Sequence, residues 1–221
     1  MADTCDRDCH TPHGSGSLGI PQVGAFDPVA FEAAVNAMLV ACGVAPDSVH
    51  TGRTAQRVRE LWQKRLLGGY AIEPAEALGE GFADDRDDMV VVRGIAVHGV
   101  CPHHLVPFRG VAHVAYIPGG RLHGFGRIAR MVDAIGHRFT YQEWMTRDIA
   151  EALVNHGMAK GAACVIEAEQ LCLLLGFRGK YGAGDHGELH AISSRVGERL
   201  ARMRGPSGDL APAWRPPSDR V

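Results

Sequence analysis

Apolar positions along the chain keep two different periods, and blocks of each alternate. Residues 1 to 25 keep neither: they are polar and rich in Gly and Ser, the composition of a disordered tail. Asp27-Pro28 reads as an N-cap followed by proline at the first helical position. From there Phe31, Val35, Met38, Leu39 and Cys42 hold helical spacing until Gly43 stops it. A second helix carries Val58, Leu61, Trp62 and Leu66 on one face and ends at Gly68-Gly69. Residues 70 to 88, which include the acidic run "DDRDD", read as a loop.

The pattern then changes to short β-branched runs. "MVVVRGIAVHGV" and "GVAHVAYIP" are bounded by turn residues and predict two antiparallel strands, with Pro118-Gly119-Gly120 as turn chemistry behind them. Helical spacing returns at Ile128, Met131, Val132, Ile135 and Phe139, and again at Met145, Ile149 and Leu153. "AACVIEAEQLCLLL" predicts either a further strand pair or one long bent strand. Residues 185 to 204 read as a helix, and the Pro-rich tail from 205 to 221 as loose. Two helices, strands, two helices and strands again predict an α+β domain without internal repeats.

Composition narrows the class. Of the 221 residues, 46% are hydrophobic but only 6% aromatic, so the core must be largely aliphatic. A net charge of −2, from 23 basic and 25 acidic side chains, argues against nucleic-acid binding driven by bulk electrostatics. No apolar run approaches the roughly 18 residues of a membrane span, and the N-terminus lacks the layout of a secretion signal. The expectation is a soluble cytoplasmic protein with no membrane partner. The six cysteines have no repeated spacing, which favours metal ligation or simple burial over disulfides.

The stretch "VHGVCPHHLVPFRG" concentrates candidate chemistry. Cys101 and His104 have the two-residue gap that lets a thiolate and an imidazole meet one Zn²⁺, and Pro102 restricts the turn between them. Cys172, at the end of an apolar run, is the best candidate for a third ligand, and three ligands leave one position open for water. His103 is then free for proton transfer. On spacing alone the alternative stands level: one C-x-x-H is common by chance, and both cysteines also suit plain burial. A second Cys/His cluster, Cys5, Cys9, His10 and His13, reads better as part of the tail.

The run from "CPHHLVPFRGVAHVAYIPGGRLHGFGRIARMVDAIGHRFTYQEWMTRDIAEAL" to "VIEAEQLC" resembles the catalytic domain of the GTP cyclohydrolase I family. The resemblance covers residues 51 to 175 and implies the tunnelling fold. In that fold, two helices pack on an antiparallel sheet, the sheets of several subunits close a barrel, and an N-terminal helical arm precedes the domain. Together with the pattern of positions above, it divides the chain into a disordered tail over 1–25, N-terminal helices over 26–70, the catalytic domain over 71–204 and a flexible Pro-rich tail over 205–221. It also implies a decamer of two pentamers with active sites at subunit interfaces. Cys101, His104 and Cys172 fall on the family's zinc ligands and His103 on its catalytic histidine. Gln142 and Glu143 match the pair whose carboxylate recognises guanine; an ionised carboxylate accepts from adjacent N–H donors. Arg130 matches a triphosphate-binding position, Arg127 stands where the family has lysine, and Arg57 resembles a further family arginine; plain surface charge is the alternative for all three. The implied reaction opens the imidazole ring of GTP by attack of zinc-activated water at C8, releases formate and ends at dihydroneopterin triphosphate.

Four departures from the family pattern bear on that expectation. Gly126 replaces a serine, in "GFGR". Gln170, in "EAEQLC", replaces a second catalytic histidine; its amide can hold a water but cannot titrate near neutrality. Gly176 stands where the family has arginine, unless Arg178 substitutes for it. Pro102 replaces a glutamate. Two alternatives to the full reaction follow. One is a divergent enzyme that stops at a ring-opened formamidopyrimidine or takes another purine nucleotide; the other is a catalytically dead zinc protein that binds guanine nucleotides.

Overall fold

A computed structural model describes residues 18–86, 88–176 and 190–196. The first helix, α1 (Pro28–Ala41), starts as its sequence dictates: the Asp27 carboxylate accepts from the amides of Val29 and Ala30 at 2.9 and 3.0 Å, with Pro28 behind it. Gly43 follows its last turn at φ +76°, a conformation a side chain would strain. Only Val35 of α1 is buried, and Val29, Met38 and Val40 are exposed. Helix α2 (Thr54–Leu61) packs against α1 and continues as a π turn over Trp62–Leu66. The segment expected as a bare loop contains a short helix, α3 (Pro74–Leu78), which has proline in its first turn and a fully buried Leu78.

The main sheet is antiparallel, in the order β2-β3-β5-β6, from β2 (Val90–Val100), β3 (Pro107–Ile117), β5 (Gly161–Gln170) and β6 (His190–Val196). Two dipeptides, β1 (Phe82–Ala83) and β4 (Arg121–Leu122), form a separate two-stranded ladder. Helices α4 (Phe125–Gly136) and α5 (Gln142–Asn155) pack on one face of the main sheet. Between them lies the core: Ile128, Met131, Val132 and Ile135 from α4, Met145, Ile149 and Leu153 from α5, and Val97, Phe108, Val114, Tyr116, Cys164 and Ile166 from the strands. Tyr116 and Phe108 are the aromatic side chains of this mostly aliphatic core, the first fully buried and the second, Phe108, 2% exposed. Its ring crosses the facing strand at Gly99, where a Cβ would collide with it.

Two expectations are corrected. "AACVIEAEQLCLLL" is one strand that passes directly into a helix, α6 (Leu171–Gly176), so Cys172 sits on a helical turn and not at a strand end. Within the span expected to be helical, residues 190–196 form strand β6, paired antiparallel with β5 from Ala163↔Val196 to Glu169↔His190. Residues 1–17, with the N-terminal Cys/His cluster, the tail from 205 and Arg178 lie outside the described residues. The end of the segment expected as a disordered tail is instead tied down, the Gly19 amide donating to Asp148 at 3.1 Å and the Ile20 amide to the Phe139 carbonyl at 2.8 Å. Among the described residues no helix is long and apolar enough to cross a membrane.

Arg138 ties the helical segment before the sheet to the rest. It is 8% exposed, and its guanidinium donates to the carbonyls of Ala134, Gly69 and Ile72 at 2.8–3.0 Å and lies over the Tyr70 ring. The cluster replaces the guanidinium's lost hydration with three carbonyl acceptors and an aromatic face.

Candidate active site

Strand β2 ends at Val100, and the chain turns at once through Cys101–Val106 into β3. The Cys101 amide donates to the Val106 carbonyl at 3.0 Å, and the Leu105 amide to the Cys101 carbonyl at 2.9 Å. Closing the turn puts Leu105 at φ +55°, a region that few side-chain-bearing residues adopt. The turn folds His104 back over Cys101. Cys172 approaches from α6 because Gln170, the last residue of β5, pairs with Phe108 near the start of β3. The ligand atoms of Cys101, His104 and Cys172 all lie within 4.8 Å of one another.

These residues fit a divalent metal of borderline softness. Two sulfurs and an imidazole are donors that zinc accepts tetrahedrally, and three of them leave a coordination position open. Cys101 is buried, Cys172 half-buried and His104 exposed, so the cluster sits at the rim of the core. Burial, and after it the neighbouring Cys101 sulfur, push the Cys172 thiol up. A cation between the two sulfurs would reverse that effect, because the thiolate is the form that ligates.

A cavity of about 200 Å³ opens beside the cluster, lined by His103, Gln142, Glu143 and Gln170 among others. Backbone bonds bring the start of α5 here: the Val100 amide donates to the Arg138 carbonyl and the Thr140 amide to the Val100 carbonyl. Residues 141–143 are thereby anchored against the end of β2. Glu143 lies in the first turn of α5, exposed, where the positive end of the helix dipole favours a carboxylate.

Gln142 has a different setting from its neighbour. It is 3% exposed; its amide nitrogen donates to the Ile166 carbonyl at 2.9 Å, and its amide oxygen accepts from Gln170 Nε2 at 2.8 Å. A backbone carbonyl can only accept, so the direction of the whole chain is fixed from Ile166 outward. Both ends of the Gln142 amide are engaged within the protein. The geometry therefore makes Gln142 a support for Gln170, and leaves Glu143, which lines the cavity, as the member of the pair without a hydrogen bond or ion pair from its side chain among the described residues.

The remaining expected residues lie elsewhere on this chain. Arg57 is exposed on α2, and Gly126, Arg127 and Arg130 are exposed on the first two turns of α4; none lines the cavity. Arg127 and Arg130 are three residues apart and so share a helix face, with no ion pair among the described residues. A Cβ on Gly126 would meet open space. The sequence reading passed over Tyr141, Thr140 and Leu173 as lining residues. For Tyr141 the signal was present, since "TYQEW" places an aromatic ring beside the matched Gln-Glu pair.

Comparison with known proteins agrees with the geometry. The family model described as GTP cyclohydrolase I matches residues 31–186. A protein of Chromobacterium violaceum named GTP cyclohydrolase 1 is 68% identical over 176 residues, 80% of this chain and 84% of that protein. One of Ralstonia nicotianae with the same name is 68% identical over 173 residues, covering 78% and 83%. A more distant relative so named, from Streptomyces griseus, is 41% identical over 165 residues, 74% of this chain and 79% of its own length.

Proposed function

Since this chain belongs to the GTP cyclohydrolase I family, we propose that it hydrolyses GTP, opening the imidazole ring of the purine with zinc held by Cys101, His104 and Cys172. The observation that carries the reading is the juxtaposition of a Cys-His-Cys cluster with a cavity that also receives His103, Glu143 and Gln170. A bound zinc ion supplies Lewis acidity that makes water nucleophilic near neutral pH.

The protein's own groups do the rest. The Glu143 carboxylate accepts from the adjacent N–H donors of the guanine edge and so selects guanine and orients C8. His103 takes and returns protons as one water adds at C8 and the ring opens to a formamide, and as a second water hydrolyses the formamide and formate leaves. Gln170, held by Gln142, orients water or substrate through hydrogen bonds but exchanges no proton. Rearrangement and ring closure, with loss of one water, then give dihydroneopterin triphosphate.

The triphosphate requires cations, and among the described residues no Arg or Lys lines the cavity. Arg57, Arg127 and Arg130 carry the charge in this reading, and a neighbouring subunit supplies them. Their separation from the cavity within one chain supports the decameric, interface-sited assembly that the tunnelling fold implies, as does the exposed apolar surface of α1. The expected location is the cytoplasm.

Incubation with GTP, with products identified by mass and formate quantified, tests the reading. Dihydroneopterin triphosphate with stoichiometric formate is the expected outcome, and unchanged GTP contradicts it. The amide at position 170 favours one second reading, in which the reaction stops early. A hydrated, ring-opened formamide without formate is its signature.

A further inference from the structure

His103 stands on an exposed turn, and the backbone there does not by itself fix a side chain with two free torsions. Its orientation comes from across the cavity mouth. The Tyr141 hydroxyl lies 3.1 Å from His103 Nε2, and the two rings lean together with centroids 5.1 Å apart at 49°. Trp144, one helical turn further on, meets the Tyr141 ring edge-on at 4.5 Å and 83°. Tyr141 is itself pinned where α5 begins, immediately before Gln142 and Glu143.

Among the described residues the phenol is the one hydrogen-bond partner of His103. Gln170, which the family pattern would make the second catalytic side chain, is turned toward Gln142 instead. We propose that Tyr141 is a positioning residue for the reaction, its hydroxyl clamping Nε2 of His103 so that the imidazole is held over the cavity in one orientation. The clamp leaves Nδ1 as the ring nitrogen without a protein partner among the described residues. Trp144 braces the clamp from behind, since an edge-to-face aromatic pair resists rotation of the tyrosine ring. The inference rests on the role proposed for His103, because a clamp matters only if the clamped group takes part.

Four zinc-loaded proteins test it: the unaltered chain, Tyr141→Phe, His103→Ala and the double variant, each assayed for GTP ring opening and zinc content. Tyr141→Phe keeps the ring and its packing and removes one oxygen. The expected result is a roughly tenfold fall in kcat from lost orientation, with KM within about twofold and zinc content unchanged. His103→Ala falls by about 10² or more, and the double variant is no slower than His103→Ala alone, because the hydroxyl acts through the imidazole. A Tyr141→Phe protein with unaltered kcat beside a slow His103→Ala overturns the clamp and leaves the role of His103 standing. So does a Tyr141→Phe loss that multiplies in full onto His103→Ala. A His103→Ala protein at full rate overturns the role of His103 itself, and the clamp with it.

Discussion

Gln170 donates its amide hydrogen to Gln142 Oε1 at 2.8 Å, and Gln142 in turn donates to the backbone of β5 at Ile166. Two glutamines thus hold a position at which the family pattern has a titratable histidine. The pair gives the cavity a polar wall with a fixed direction and no proton to exchange. Removing Gln170 should therefore do more than delete one contact. Gln170→Leu leaves the buried oxygen of Gln142 without that donor, and turnover is expected to fall about tenfold or more with zinc content unchanged. Steady-state kinetics with metal analysis checks this.

Glu143 should control which base is accepted. With the carboxylate gone, the guanine N–H donors face a weaker acceptor, and Glu143→Gln is expected to lower kcat/KM for GTP by about 10² or more. Discrimination between GTP and ITP, which lacks the exocyclic amine, should shrink in the same variant. Competition assays with the two nucleotides measure that ratio.

Arg138 carries stability and no chemistry. Replacing it with methionine strands three carbonyl acceptors in a site 8% exposed, and the expected cost is about 2–4 kcal/mol. Denaturant unfolding should show a lower midpoint with an unchanged slope. The zinc content of the folded protein should match that of the unaltered chain.

Acid should weaken the fold through two histidines. Burial pushes both His113 and His137 down, against the opposing pull of Glu167 on the first and Asp133 on the second, while Arg93 lowers His113 further and His98 and Arg65 lower His137. The folded state therefore disfavours the charged forms. Above the unfolded value of about 6.5 both states are neutral and nothing is lost. Below it the unfolded chain binds protons that the folded chain resists, so stability falls until pH drops past the depressed folded values. His137→Asn should flatten the decline in Tm between pH 7 and pH 5 relative to the unaltered protein, as read by thermal melts.

What the sequence revealed follows the range of the interactions involved. The Asp27-Pro28 start of α1 and the helical faces of α4 and α5 are local signals and stand as read, except that α4 ends at Gly136 and leaves Phe139 beyond it, bridged to Val100. The Cys-His-Cys cluster that could hold a metal was also legible, because Cys101 and His104 lie within one turn and the resemblance supplied Cys172. The secondary structure around Cys172 was not: "LCLLL" is apolar throughout, and a run without polar positions has no period to separate strand from helix. Residues 190–196 were misread for a related reason. Ile192 and Val196 are four apart, which suits a helix, whereas the pairing with β5 that makes them a strand is set by residues some 25 positions or more away in the chain. The buried helix α3 was announced by Pro74 but overshadowed by the acidic run that follows. The Gln170–Gln142 and Tyr141–His103 contacts join residues 28 and 38 positions apart, and only the register of the sheet and the anchoring of α5 bring them together.

The dependence of GTP ring opening on metal tests the account most directly. The protein is stripped with chelator, titrated with Zn²⁺ and followed by formate release and loss of the purine absorbance. Activity that vanishes on stripping and returns in full at one zinc per chain, but not in Cys172→Ala, is the result predicted. Undiminished formate release from the stripped protein, or from zinc-free Cys172→Ala, would contradict the assignment of the Cys101–His104–Cys172 cluster as the centre of the reaction.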